Sequence, residues 1–548
     1  MTRIRPAAWL IAAVALFLLA VAGYALLVHA FPHYYWTQID TGVYRDGGIA
    51  VRNQPAMLYT LELGAAKLPF TYTPFAALLF AAGSAASFAT WQVGLAVLTI
   101  GLLPVVAYLS LGLAGRPAGL SRAAAAFAIA AVGLWLEPVA MTLFFGQINL
   151  VLLALVVGDL ALPDRIKGKG IGIGLAAGIK LTPLIFIPYL LFTRRVKAAA
   201  VSALTFAVTI GLGFALLPHA SAVYWGGEFA RPGSKPFHLD NQSLNGVILR
   251  LTHAGPDAHA YWLVAAAVVG IAGLATSILA SRHGHELLGL VACAATGLLV
   301  SPITWSHHYV YVVPALVLAA YGPRRLGYRI LGVALVVGLF GWWPVPIGNQ
   351  GGYGPKAQLL PRGFLLLAPN RGNNGTVEFT WRGLELIVGN YYVLTLLVFI
   401  AATACALVLT RRLRPERVVG PRARWRGGGT PGRPRPVGRS ASLTEGAVHI
   451  CDLGRRQSLP SSLDVSVTVT DGRSPAVVHR RFQGRGTRQR GMRFRRTTRS
   501  RRNRPVLPAW LRESPPMDGA WSTHLWRRKA ARLRFRAALS TQACYREP

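Results

Sequence analysis

Apolar residues in this chain come in long unbroken runs rather than in alternation. The first extends from Ala7 to Phe31, about 25 residues, behind the two arginines of Met1–Pro6. A secretory leader has a shorter apolar stretch, roughly 7–15 residues, with a cleavage site. This run is long enough to cross a hydrocarbon core about 30 Å thick. Further runs lie at about 72–88, 90–113, 122–137, 147–163, 170–192, 196–217, 258–281, 285–301, 308–321, 327–344 and 385–410. In lipid only helices and closed barrels satisfy their backbone hydrogen bonds. Continuous rather than alternating runs indicate helices, so the pattern predicts an all-α, polytopic transmembrane bundle of about ten to twelve spans.

Orientation follows from Lys and Arg, which favour the cytoplasmic side. The clusters Arg3/Arg5, Arg194/Arg195/Lys197, Arg324/Arg325 and Arg411/Arg412/Arg414 fit that side, which leaves the long loops 32–70, 218–257 and 345–384 outside. The first half is open in parity. If 72–88 and 90–113 both cross, Arg116 and Arg122 fall outside; if only one crosses, they fall inside. The run 170–192 is interrupted by Lys180 and Pro183 and reads either as a crossing or as a re-entrant hairpin.

Composition divides the 548 residues in two. Charged residues are only 14% of the chain and hydrophobic residues 53%, which excludes a simple cytosolic enzyme, a coiled coil or a disordered chain. The net charge of +38 is unevenly spread: residues 411–548 hold 33 Lys and Arg against 8 Asp and Glu, a net +25. The sequence therefore predicts a membrane domain over 1–412 and an Arg/Gly/Pro-rich tail over 413–548 that buries no core. That tail suits anionic inner-leaflet lipid or RNA, or is the product of a shifted reading frame in a GC-rich gene; it is assigned no catalytic role. Cys293, Cys405, Cys451 and Cys544 have neither disulfide-framework nor zinc spacing.

Candidate chemistry gathers where the apolar runs meet the outer loops. Asp40 follows the first span closely and can take a proton from a hydroxyl, or is a solvated loop acid. Asp46, six residues on in a Gly-rich stretch, looks like part of a turn. Tyr72 and Pro74 mark a helix start. Gln147 and Asn149 open an apolar helix, where they either bond a sugar or cap and pack. Lys180 lies inside an apolar run, where a charge costs roughly 3 kcal/mol or more; it needs an anion such as phosphate, or a route to a headgroup. Asn241, Gln242 and Asn245 precede a short amphipathic stretch ending near Arg250, suited to polyol binding or to lying at the interface. His307 and His308 diverge by about 100° on a helix and so form no i,i+4 metal pair; one can meet a phosphate or sugar while the other packs.

Walker, HExxH, GxSxG and DxD patterns are absent, which weakens ATPase, metalloprotease, hydrolase and nucleotide-sugar readings. Paired charges within the spans are scarce, against an ion-coupled transporter. The segments DTGVYR (40–45), YTPF (72–75), GQINLVLLAL (146–155), GLAAGIKLTP (174–183), NQSLNG (241–246) and SPITWSHH (301–308), in this order, resemble glycosyltransferase family 87. These are GT-C-type, polyprenol-phosphate-mannose-dependent α-mannosyltransferases of mycobacteria and their relatives. The tail shares nothing with them.

The resemblance implies a plasma-membrane enzyme with its site on the outer face. It implies transfer of a hexose, expected to be mannose, from a β-linked polyprenyl phosphate to a glycolipid or lipoglycan. The product is α-linked, so the anomeric carbon inverts, with one general base and no covalent intermediate. The base maps onto Asp40. Contacts to the lipid phosphate map onto Lys180, His307 and His308, and contacts to sugar or acceptor onto Gln147, Asn149, Asn241 and Gln242. No metal or cofactor is implied, membrane lipids are the other partners, and nucleic acid is not expected. The rival reading is a transporter or flippase of lipid-linked sugars; the internal repeats it would favour are not seen. Arg outnumbers Lys 50 to 8, which suits a GC-rich actinobacterial source.

Overall fold

Five helices are long and apolar enough to cross a membrane: Pro6–Ala30, Phe88–Leu113, Val196–Leu216, Ala258–Arg282 and Tyr391–Leu409. Their outward faces carry bare aliphatic side chains such as Ile11, 71% exposed, and Ile271, 74% exposed. Water would penalise such a surface, and lipid tails match it. The chain is therefore a helical membrane protein. The computed structural model describes residues 6–231, 236–323, 325–347, 358–369, 376–412, 462–469 and 476–483. The chain divides into two units, 1–424 and 425–548. In the second, the described residues form one antiparallel hairpin, Ser462–Val469 with Ala476–Gln483. The rest of the basic tail, and with it the expectation that 413–548 lacks a folded core, lies outside the described residues, as do Cys451 and Cys544.

Helix directions in the first unit settle the open parity. The Phe17 ring packs on Phe127 at 5.7 Å, and Gly23 faces the Trp135 ring. Contacts rise together along both helices, so Pro6–Ala30 and Leu120–Leu134 run parallel. Arg116 and Arg122 thus lie at the same end as Pro6, and one pass separates them from the first loop. That pass is Phe88–Leu113. The apolar run at 72–88 yields only the ten-residue helix Pro74–Gly83, which lies against Ile39–Asn53 and does not traverse.

The interrupted run 170–192 is a hairpin. Arg195 Nε lies 3.5 Å from Asp164, so the chain enters and leaves on one side. Helix Ile171–Ile179 runs alongside Val196–Leu216 in the same direction, with Gly174 against Thr205 and Gly178 against Thr209. A Cβ at Gly174 would lie 2.5 Å from Thr205 Cβ, and one at Gly178 2.5 Å from Thr209 Oγ1. The small residues four apart are what let the two helices approach. Lys180 is extended (φ −144°, ψ 132°) and ends the first limb; the 3₁₀ turn Thr182–Ile185 and helix Phe186–Phe192 return. Lys180 therefore sits at the apex, not within a straight span.

Among the described residues ten helices pass between the two ends. The five long ones are joined by Leu120–Leu134, Asn149–Ala161, Glu286–Val300, Val312–Tyr321 and Leu326–Phe340. One end is basic: Arg195 bonds Glu286 at 2.5 Å, and Arg116 lies over the Tyr321 ring at 5.2 Å. The described residues of segments 31–73, 135–148, 217–257, 301–311 and 341–390 cap the other end, where strands Pro344–Ile347 and Gln358–Pro361 pair antiparallel.

The first of these segments is not the irregular loop that its polar residues suggest. It forms helix Ile39–Asn53, and the Gly-rich DGG stretch is mid-helix rather than a turn. Gly47 faces the Phe70 ring and Gly48 the Phe80 carbonyl, where a Cβ would lie 2.6 Å from the oxygen. The two glycines allow this helix to lie flush against Pro74–Gly83. The amphipathic stretch after Asn245 is helix Leu244–Leu251, but its Arg250 does not lie at an interface. Arg250 is 1% exposed and donates from Nε (3.0 Å) and Nη2 (2.6 Å) to Asn390 Oδ1, fastening the 237–250 segment to the last span.

Candidate functional site

The position of Asp40 is set by the junction of two helices. Helix Glu137–Phe145 ends at Gly146, whose φ of +70° closes the turn. The last carbonyls of such a helix need donors from elsewhere. Gln38 supplies them, from its backbone N–H to Phe144 O (2.9 Å) and from Nε2 to Leu143 O (2.5 Å). Thr41 Oγ1 donates within reach of both Gln38 Oε1 (2.9 Å) and Gly146 O (3.2 Å). Gly146 has no alternative: a Cβ there would overlap Thr41 Oγ1, and the backbone is left-handed. This joint fixes the first turn of Ile39–Asn53, which carries Asp40.

Gln147, the next residue, is held by two phenols. Tyr44 and Tyr72 hydroxyls lie 2.7 Å apart, and each is 3.0 Å from Gln147 Oε1. With its oxygen so engaged, Gln147 has only its amide N–H left to offer a neighbouring acceptor. Burial pushes the Asp40 carboxyl up to about 6, against the opposing pull of the Gln147 hydrogen bond and the Lys180 charge. Asp46 differs. Its Oδ2 accepts from Gly64 N (3.1 Å) and its Oδ1 lies 3.4 Å from Arg45, so it joins the helix to the neighbouring turn.

Lys180 reaches the same cluster from the hairpin apex. Its Nζ is 2.9 Å from His308 Nε2, 3.4 Å from Asn149 Oδ1 and 3.5 Å from Tyr72 OH, and 5.2 Å from the Tyr72 ring centroid. Among the described residues no carboxylate lies within 4 Å of it; the cation is held by dipoles and a π face. With Lys180 donating to Nε2, His308 carries its proton on Nδ1, which is buried without a partner. His307 turns the other way, its ring 5.2 Å from Phe145 and its Nε2 also unpartnered. Its carbonyl accepts from Asn149 Nδ2 (2.9 Å) and Thr142 Oγ1 (3.1 Å). The 3₁₀ turn Ser306–Tyr311 is anchored in turn by buried Glu137, which accepts from Ser306 Oγ at 2.8 Å and from Tyr392 OH.

A cavity opens beneath this group. Lys180, His308 and Asn149 line it with polar groups, and Leu153, Phe186 and Leu298 with apolar ones. An anion beside the polar groups, with a hydrocarbon chain against the apolar ones, would match both kinds of lining. Among the described residues no three His, Cys, Asp or Glu side chains converge as metal ligands.

The structure thus brings together Asp40, Gln147, Asn149, Lys180, His307 and His308. It leaves out Asn241 and Gln242. Both are fully buried, and their amide nitrogens are committed to backbone carbonyls; among the described residues Gln242 Oε1 has no partner. Asn241 Oδ1 accepts from Thr304 N (2.9 Å), and its Nδ2 donates to Pro236 O (2.6 Å). Gln242 Nε2 donates to Leu239 O and Gly389 O, both at 2.7 Å. Through these bonds they hold the 236–243 and 302–305 segments. Sequence reasoning missed Tyr44 and Tyr72 as the pair that orients Gln147; the signal was a tyrosine just before the Pro74 helix start, read as structure alone.

The profile of glycosyltransferase family 87 matches residues 70–302. That range takes in Tyr72, Gln147, Asn149 and Lys180 and stops short of Asp40, His307 and His308. A polyprenol-phosphate-mannose-dependent alpha-(1-2)-phosphatidylinositol mannoside mannosyltransferase of Mycobacterium tuberculosis is 32% identical over 433 residues, 75% of this chain and 92% of its own length. One of the same description from Mycolicibacterium smegmatis is 33% identical over 347 residues, 57% of this chain and 76% of its own. A phosphatidylinositol pentamannoside mannosyltransferase of M. tuberculosis is 34% identical over 304 residues, 54% and 69% of the two chains. No solved structure is significantly similar to the chain.

Proposed function

Because the chain belongs to glycosyltransferase family 87, we propose that it moves mannose from a polyprenyl phosphate to a phosphatidylinositol-mannoside glycolipid, with inversion, at the outer face of the plasma membrane. Glycosyl transfer follows from the family. The two substrates are those in the relatives' names, and the sidedness follows from the basic end, which belongs in the cytoplasm by the positive-inside tendency.

The observation that carries the reading is a cation without a carboxylate partner among the described residues, Lys180 with His308, lining a largely apolar cavity and within electrostatic reach of Asp40. In the proposed step Asp40 accepts the proton of the acceptor hydroxyl. The hydroxyl oxygen bonds to the anomeric carbon on one face while the bond from that carbon to the phosphate oxygen breaks on the other. The phosphate leaves with the bonding electrons, so a phosphodiester becomes a phosphomonoester and gains about one negative charge. That charge develops next to Lys180 Nζ and the free Nδ1–H of His308, and such groups help most where charge grows in the transition state. A carboxyl raised to about 6 is a stronger base than an exposed one and is still ionised at neutral pH.

Membranes carrying the chain, given polyprenyl phosphate with labelled mannose and phosphatidylinositol mannoside, should yield a labelled, α-linked mannolipid. Label that crosses the membrane still on the polyprenyl phosphate would indicate a flippase instead.

A further inference from the structure

Arg362 stands apart from the cluster just described. It follows strand Gln358–Pro361 at the non-basic end, with its guanidinium 4.3 Å from the Phe144 ring centroid and 5.5 Å from that of Tyr35. Among the described residues Nε is buried without a partner, and Nη1 meets only Met141 Sδ at 3.4 Å. Nη2 makes no hydrogen bond among the described residues, and no carboxylate there lies within 4 Å. The nearby Glu137 already accepts on both oxygens, from Ser306 and Tyr392, and Asp240 lies 3.6 Å from His238. The same pocket of aromatics holds two more buried groups without partners, Tyr35 OH and Trp342 Nε1, on rings 4.9 Å apart. Asp240 and Glu137 act on this guanidinium only through their longer-range fields; a mostly desolvated charge with no carboxylate in contact is costly, and the planar fork of arginine matches phosphate oxygens.

Its place in the fold says which phosphate. Phe144, beneath the guanidinium, gives its carbonyl to Gln38 N–H, two residues before Asp40. Arg362 therefore flanks the base-bearing turn from the Phe144 side, whereas Lys180 approaches through Gln147 and Tyr72. Trp343, 37% exposed and stacked on Phe364 at 6.4 Å, adds an aromatic surface of the kind found at headgroup level. Resting on the transferase reading above, we propose that Arg362 binds the phosphodiester of the acceptor glycolipid, while Lys180 and His308 serve the phosphate of the donor. Two anionic lipids would then meet with Asp40 between their phosphate sites.

The test compares two acceptors with purified enzyme: phosphatidylinositol mannoside, and octyl α-mannoside, which has no phosphate. Arg362→Gln should lower the kcat/KM ratio of the first acceptor over the second by about ten- to a hundredfold, the loss expected for a charge-assisted contact. The donor KM should not move, and Arg362→Lys should give an intermediate ratio. An unchanged ratio, or a rise in donor KM instead, overturns the assignment. Parallel loss with both acceptors in the Gln and Lys variants alike makes Arg362 a residue of the fold and also overturns it. A wild-type chain that transfers to neither acceptor would instead refute the transferase reading.

Discussion

Replacing Lys180 with Met keeps the length and apolar stem of the side chain and removes its charge. Two effects follow from the geometry. First, the leaving phosphate loses the ammonium that faces its new charge; removing one such preorganised group typically costs about 10²–10³-fold in rate. Second, Asp40 loses the nearby positive charge that holds its carboxyl down. Burial has raised that carboxyl from 3.8 to about 6, so the wild-type rate should fall as pH drops through about 6. Without Lys180 the carboxyl rises further, and the acid limb moves to higher pH. Lys180→Arg should return the limb toward its wild-type position even where the rate stays low, because charge survives and the contact to His308 does not. Transfer of labelled mannose at subsaturating donor, measured as kcat/KM from pH 4.5 to 8, reads both effects. A Met variant within a few-fold of the wild-type rate, or with an unmoved acid limb, would refute the coupling of Lys180 to both phosphate and base.

Gly146→Ala should lower both melting temperature and transfer sharply, since a Cβ overlaps Thr41 Oγ1 at a left-handed backbone position; a variant with wild-type melting and rate would remove the joint from the account. Gln242→Ala leaves the Leu239 and Gly389 carbonyls without their donor and should cost about 1–3 kcal/mol of stability, visible as reduced thermal stability in detergent. Its donor KM should stay unchanged, and a selective rise in donor KM would return Gln242 to the substrate site.

The sequence disclosed the bundle and most of the cluster because both have strong physical signals. A long apolar run has few uses outside lipid, and a lysine within one demands an explanation, so Lys180 stood out. Three things were not legible. The run at 72–88 is apolar enough to span, yet Pro74–Gly83 is a short helix buried against Ile39–Asn53; composition cannot separate burial in protein from burial in lipid. The DGG stretch read as a turn because glycine usually breaks helices, and only Phe70 and Phe80 reveal why Gly47 and Gly48 are needed mid-helix. Asn241 and Gln242 looked like sugar-binding amides, but an amide bonds a backbone carbonyl as readily as a hydroxyl, and here the backbone has them.

The central claim is that Asp40, and not its neighbour Asp46, takes the proton. Asp40→Asn and Asp46→Asn preserve shape while removing basicity, and in the second variant the amide oxygen can still accept from Gly64 N–H. Purified variants assayed side by side for donor binding and for mannosyl transfer give the most direct test. The account predicts that both bind donor, that Asp46→Asn transfers near the wild-type rate, and that Asp40→Asn loses about 10²–10⁴-fold. An active Asp40→Asn enzyme beside an inactive Asp46→Asn would move the base to Asp46, and two active variants would take this helix out of the chemistry.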